Sequence, residues 1–394
     1  MTAASYAQAV GSWAEHLRAG GTTPWSAWSP SSTGEPGDVV EPLPDAIHLE
    51  LVRRINLAAE RDASTLGGLA LQGLADRVFA TASPGRGLLD VPLPWPGAPR
   101  RFGTPARDPD LLPDEELVRL AVGVLAHLLP DVPPPPPEEL PSPWPAPWRR
   151  RFRLHGSPTT VAAVRWRLLA QGQVETDWRP THVVIARPVE VMMAQHWGQA
   201  VRNGGILKWS TTWRRAQAAG RLPTQIDVAA TANRLRDRRR EPLHVVVARD
   251  ADDAAALTAE VLRARPISLG AGIPSSDDAA LSDLLRRLNR LTALTQQPRR
   301  VRDLARTLVA LLEAEEKRDR DIALPVTPPA SLAWAREVAA ASAEQLRHAG
   351  YAVHGDPDAL APTEHRLPGT VDRARTLELA VTACLRTWPL RGDP

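Results

Sequence analysis

The chain has 394 residues, 43% of them hydrophobic and 24% charged, with 48 Lys and Arg against 45 Asp and Glu. That is enough chain for two or three packed units of ordinary globular composition, which excludes wholesale disorder and collagen-like or coiled-coil architectures. A single cysteine, Cys384, excludes an intramolecular disulfide framework and a Cys-rich metal site. No basic start leads into an apolar run and no segment approaches 18 consecutive apolar residues, so the expectation is a cytoplasmic protein with no membrane partner.

From the amino end, Ala7, Val10, Trp13, Ala14 and Leu17 recur at helical spacing before Gly20-Gly21, which predicts an amphipathic helix over 4–20. Trp25 and Trp28 follow in a Ser/Pro/Gly-rich stretch, where regular structure is not expected and the indoles should pin a loop onto the helices. Further helices are expected at 45–60, 64–81 and 114–129, the last opened by Asp114, Glu115 and Glu116, whose charge favours a helix amino end. Residues 1–130 therefore form a mainly helical region. The run Pro133–Pro137 within 131–148 prefers polyproline II and reads as a semi-rigid linker.

From 149 the pattern changes. Arg151 to His155, Thr181 to Arg187 and Leu243 to Arg249 are near-continuous apolar or alternating strands, each leading into a helix. Strands of this kind alternating with helices indicate a parallel sheet covered on both faces. The fold class expected is α/β, with a Rossmann-like parallel sheet at 149–270 flanked by mainly helical N- and C-terminal regions. The hexapeptides His182-Val-Val-Ile-Ala-Arg187 and His244-Val-Val-Val-Ala-Arg249 agree at five of six positions, and they suggest two equivalent strand–helix units. After Pro266 the chain is helical again, with a leucine stripe over 281–294 and Arg286, Arg287 and Arg290 outside it. A further strand is expected near 351–355.

Charge is distributed unevenly. Residues 1–150 carry 12 basic and 18 acidic side chains, residues 151–250 carry 17 and 7, and residues 251–394 carry 19 and 20. Only Lys208 and Lys317 are lysines, so arginine abundance is partly a coding bias. A bias of that sort would spread over the whole chain, however, and the basic middle segment marks a surface for phosphate-bearing partners.

Within it, three groups of residues carry chemistry. His155 ends a strand and precedes Ser157-Pro158-Thr159-Thr160, where the backbone amides and hydroxyls of a helix start would hold a phosphate or carboxylate. Ser157 ahead of Pro158 also suits plain N-capping. His155 is the candidate acid or base of an enzyme acting on a nucleotide or small phosphorylated substrate, with Ser157, Thr159 and Thr160 as anion ligands. Arg187 should reach the same sheet edge, whereas His182 and His244 begin their strands and read as structural. Lys208, Trp209, Trp213 and Arg214 interleave cations with stacking surfaces, as single-stranded nucleic acid would require, although tryptophans of a small Phe-poor core would look the same. Arg238, Arg239 and Arg240 would form a phosphate clamp or a solvated helix end. No G-x-G-x-x-G, P-loop, H-E-x-x-H or G-x-S-x-G occurs, so no cofactor and no metal are implied. The primary expectation is a nucleic-acid or polyphosphate-binding module. The alternatives are the enzyme just described and a scaffold that binds a protein partner through the acidic N-terminal region.

Overall fold

A computed structural model describes residues 3–28, 45–61, 68–82, 93, 107–136, 139–142, 149–238, 242–269, 278–316, 325, 327–363 and 371–391. The first helices are α1 (Ala3–Arg18), α2 (Trp25–Trp28), α3 (Ala46–Arg61), α4 (Gly68–Ala80) and α5 (Asp114–Leu128). The middle of the chain runs β1 (Arg151–Gly156), α6 (Pro158–Ala170), β2 (Val174–Glu175), β3 (Thr181–Ala186), α7 (Val189–Arg202), α8 (Trp209–Ala218), α9 (Val228–Arg238), β4 (Leu243–Val247) and α10 (Ala251–Val261). Then come α11 (Ala279–Thr292), α12 (Pro298–Glu316), α13 (Pro329–Arg347), β5 (Ala352–Gly355) and α14 (Arg373–Thr387). No described helix is long and apolar enough to cross a membrane.

These elements cluster into two compact units, one comprising Met1–Pro135, Arg287–Leu312 and Asp372–Pro394, the other Pro136–Arg286 and Glu313–Val371. The sequence reads as regions in chain order; the packing instead groups the last helix, α14, with α5 and α3. Residues 131–148, read as a linker, straddle the division at 135/136, and the boundary at 286/287 falls inside α11.

The helical unit is built on the amphipathic faces read from the sequence. Trp13, Leu17, Ile55, Leu117 and Leu120 are buried, and the Trp25 ring lies 5.2 Å from that of Trp13. The indoles do pin this stretch onto α1, but residues 25–28 form one helical turn where an irregular loop was expected. Glu50 is fully buried, which is tolerable because Arg53 (2.7 and 2.8 Å) and Arg54 (2.6 Å), both one turn further along α3, neutralise it. In the part of α11 that belongs to the second unit, Arg286 was expected outside the leucine stripe; it is buried, its charge matched by Asp283 at 2.6 Å.

The second unit contains a five-stranded, wholly parallel sheet in the order β2-β1-β3-β4-β5, so the α/β class is as expected. The apolar residues of β1, β3 and β4 that share one face, Phe152, Leu154, Val183, Ile185 and Val246, form a core with α6 and α10. Helix α9 packs across β1, β3 and β4, and the alternation of side chains puts it on the other face. The expected strand at 351–355 is β5, at the sheet edge. The two-residue β2, on the opposite edge, was not anticipated.

Register revises the reading of the repeat. The two hexapeptides lie in neighbouring strands but one residue out of step, His182 pairing with Leu243 and Val183 with His244. A one-residue slip turns equivalent side chains to opposite faces, so the two strands are not related by translation. A second motif restores the relation. Leu154-His155-Gly156-Ser157-Pro158 ends β1 and Val353-His354-Gly355-Asp356-Pro357 ends β5. His155 pairs with Val184, two residues beyond His182, and His354 pairs with Val246, two residues beyond His244. A half-turn about an axis parallel to the strands, between β3 and β4, combined with an advance of one residue along it, therefore exchanges β1 and β3 with β5 and β4, keeping strand direction and swapping faces. The side chains obey it: His155 Nε2 lies 3.1 Å from His182 Nδ1, and His354 Nε2 lies 3.0 Å from His244 Nδ1.

Candidate functional site

At the carboxyl edge of the sheet the chain leaves β1 toward β2 on one side and β3 toward β4 on the other, so the order reverses between β1 and β3, the position where open parallel sheets form a crevice. Gly156 closes β1 at φ +106°, and a Cβ there would stand 2.0 Å from the Ile185 carbonyl oxygen. Only glycine permits that approach. It lets the Ser157 amide donate to Ile185 O at 3.1 Å. Gly355 repeats the device at φ +86° with the Val247 carbonyl oxygen, also at 2.0 Å.

The predicted anion cradle takes a different form. Ser157 is fully buried and makes no side-chain cap; its hydroxyl donates to Gln195 Oε1 on α7, and Gln195 Nε2 reaches Thr160 Oγ1 at 3.5 Å. Thr159 and Thr160 are buried as well. The Ser157 and Thr160 hydroxyls bind α6 to Gln195 of α7 and are turned away from solvent, so Ser157 keeps the N-cap position ahead of Pro158 while its hydroxyl serves neither as a cap nor as an exposed anion ligand. His155 is half-buried and stacked on buried His182, ring centroids 5.3 Å apart. His354 reaches the same sheet edge, three strands from His155 and on the opposite face, and pairs with His244. Arg187 is half-buried at the carboxyl edge, and its Nη2 donates to Arg249 O at 3.2 Å.

The tryptophans of the predicted stacking surface belong to the core. Trp213 has no exposed surface and Trp209 is buried. A chain of edge and tilted contacts runs from Trp197 to Trp209 (5.6 Å), to Trp213 (5.6 Å) and to Trp334 of α13 (6.1 Å). The spacing of Trp209 and Trp213 by one helical turn marks the inner face of α8, while Lys208 and Arg214 stay exposed on the outer side. Arg238 belongs to α9, but its side chain, with Arg239 and Arg240, lies outside the described residues.

Cations and exposed aromatic rings do meet elsewhere, beside the edge strand β2. Val174 and Glu175 pair with Arg151 and Phe152, which places the β2–β3 loop next to the start of β1. In that loop Trp178 is 61% exposed, with the Arg151 guanidinium 4.0 Å above its ring and that of Arg179 at 5.9 Å. Trp166 on α6, the helix that packs beside β2, is also exposed and lies under Arg167 at 5.4 Å. Residues 149–180 hold seven arginines against two carboxylates, Glu175 and Asp177. Glu175 holds Arg165 at 2.9 Å, and Asp177 approaches Arg153 at 3.7 Å. Reasoning along the sequence missed this patch because Arg151 and Trp178 are 27 residues apart; the run Arg149-Arg150-Arg151 followed by a turn rich in Trp and Arg was its only trace.

Among the described residues no three His, Cys, Asp or Glu side chains group so as to hold a metal ion. No family model, curated protein sequence or solved structure matches the chain.

Proposed function

We propose that the α/β unit is a Rossmann-like module that binds nucleic acid or another polyphosphate, and that its contact surface is the β2 edge of the sheet. The observation that carries this reading is the Arg151 guanidinium stacked on exposed Trp178 within a stretch of seven arginines and two carboxylates. Guanidinium groups neutralise phosphates and release condensed counterions, and arginine held on an indole loses less freedom on binding. The carboxyl-edge hydroxyls first read as phosphate ligands support it less, being committed to Gln195. Fluorescence anisotropy of the full chain with a labelled oligonucleotide tests the reading. If three to five phosphates are neutralised, affinity falls roughly 20- to 100-fold between about 50 and 200 mM salt. The Arg151→Ala, Arg167→Ala, Arg179→Ala triple variant should bind weakly with a shallower salt slope. No binding at the lower salt would overturn the proposal.

A second reading, an enzyme with a small-molecule site at the carboxyl edge, rests on Glu190. This second residue of α7 is 7% exposed and accepts from Thr363 N (3.0 Å) and Oγ1 (2.8 Å) through Oε1, while Oε2 is buried with no hydrogen-bond partner among the described residues. An oxygen so placed suits a ligand hydroxyl, such as that of a ribose. Thermal stabilisation by a nucleotide, lost in Glu190→Gln, would favour it; no shift across nucleotides and sugar phosphates would remove it.

A further inference from the structure

The β2–β3 loop holds Trp178 in a fixed pose on the surface. Thr176 N donates to Phe152 O at 3.3 Å, Trp178 N donates to Thr176 Oγ1 at 3.1 Å, and Pro180 is buried, so a loop of five residues is tied at both ends. Arg179 adopts φ +48°, a left-handed conformation uncommon for residues other than glycine, and the tight connection into β3 holds it there. The Arg151 guanidinium at 4.0 Å covers part of the indole, yet 61% of the residue remains in water. Large aromatic side chains are seldom left so open beside a buried core. Beside the ring the arginines outnumber the acids, the nearby Asp177 and Glu175 facing Arg153 and Arg165, so the excess cations can follow a phosphate backbone, and Trp166 with Arg167 offers a second ring and guanidinium on the adjoining helix.

We infer that this edge is a site for single-stranded nucleic acid, in which a base stacks on the open surface of Trp178 while Arg151 and Arg179 hold the flanking phosphates. The inference rests on the polyanion reading above and goes beyond it, because arginines alone would take duplex, single strand or polyphosphate alike. An indole takes a base face, and duplex bases have no free face to give unless they are extruded. Base stacking on an aromatic side chain tolerates any sequence, so single-strand preference without sequence preference is the expected behaviour.

The test is fluorescence anisotropy of the full chain at low salt with three labelled probes of equal length: oligothymidylate, the same backbone with abasic sites, and a duplex. Oligothymidylate should bind the tightest. Trp178→Ala should weaken that binding about tenfold and leave the abasic probe unchanged, while Trp178→Phe keeps most of the affinity. Because Trp178 is exposed, the melting curve of Trp178→Ala should match the parent, and the phenylalanine variant guards against a change in loop shape. Salt-sensitive binding that is equal for all three probes, or unaffected in Trp178→Ala, would overturn the stacking site and leave the polyanion reading standing. Absence of binding to every probe would overturn both.

Discussion

Replacing Gly156 with alanine isolates the cost of the close approach that ends β1. The new methyl carbon would stand 2.0 Å from Ile185 O, against about 3.5 Å for an unstrained contact. The strands must part by more than an ångström or the backbone must rotate away from φ +106°. Either change breaks the Ser157 N to Ile185 O hydrogen bond of 3.1 Å. Backbone strain of roughly 1–3 kcal/mol and a lost hydrogen bond of about 1 kcal/mol give a destabilisation of roughly 2–4 kcal/mol. Gly220 is the control: its φ is +63° and a Cβ there meets nothing within 4 Å, so Gly220→Ala should cost only about 1 kcal/mol. Gly355→Ala meets Val247 O at the same 2.0 Å, but β5 is an edge strand that can yield, and its cost should fall between the two. Guanidinium titrations followed by circular dichroism would rank the three variants. A Gly156→Ala protein no less stable than Gly220→Ala would refute the steric reasoning.

Two further outcomes follow from titratable groups, two half-buried histidines and one buried thiol. Burial and then the neighbouring His354 hold the His244 imidazole below its usual range, and burial does the same for His196 against an opposing hydrogen bond from Gln225. The folded chain thus favours the neutral rings, and the unfolded chain binds more protons just below its pKa of about 6.5. That stability is fully present above about pH 6.5 and is lost as pH falls through the lower folded values. Denaturation midpoints should drop between about pH 7.5 and 5.5 and drop less in a His244→Gln, His196→Gln variant; equal slopes in the two proteins would contradict this. Burial pushes the Cys384 thiol up to about 12, so a disulfide reagent at neutral pH should find no reactive thiol in the folded protein and one equivalent after unfolding. Prompt native reaction would show that α14 opens readily.

Most of the helices were legible because they carry an apolar face at helical spacing, the single turn of α2 being an exception, and β3 and β4 because Val183–Ala186 and Val245–Ala248 are unbroken apolar runs. Strand β2 was not, since two residues offer no periodicity. Trp209 and Trp213 illustrate a real ambiguity: two aromatics one turn apart mark a face without saying whether that face meets solvent or core, and only the packing of Trp197 and Trp334 decides it. Ser157 was misread for a related reason, since a serine before proline at a helix start suits a cap or an anion, whereas Gln195 takes its hydroxyl. The second motif, His-Gly-Ser-Pro matched by His-Gly-Asp-Pro, stood in the sequence throughout. It was passed over because its copies lie 199 residues apart and run in the opposite order to the hexapeptides.

The half-turn and one-residue advance within the sheet make a screw operation, unlike the closed two-fold by which identical subunits associate through a single self-complementary patch. Here one chain supplies both halves, and the one-residue offset falls at the seam between β3 and β4. The two halves differ at the position after the glycine, where one carries Ser157, spent on Gln195, and the other Asp356, which accepts from Asp358 N at 2.9 Å and caps its own turn. The scaffold is thus nearly symmetric while its charge is not: the corner after β1 holds a fully buried neutral hydroxyl, and the corner after β5 turns a carboxylate to solvent.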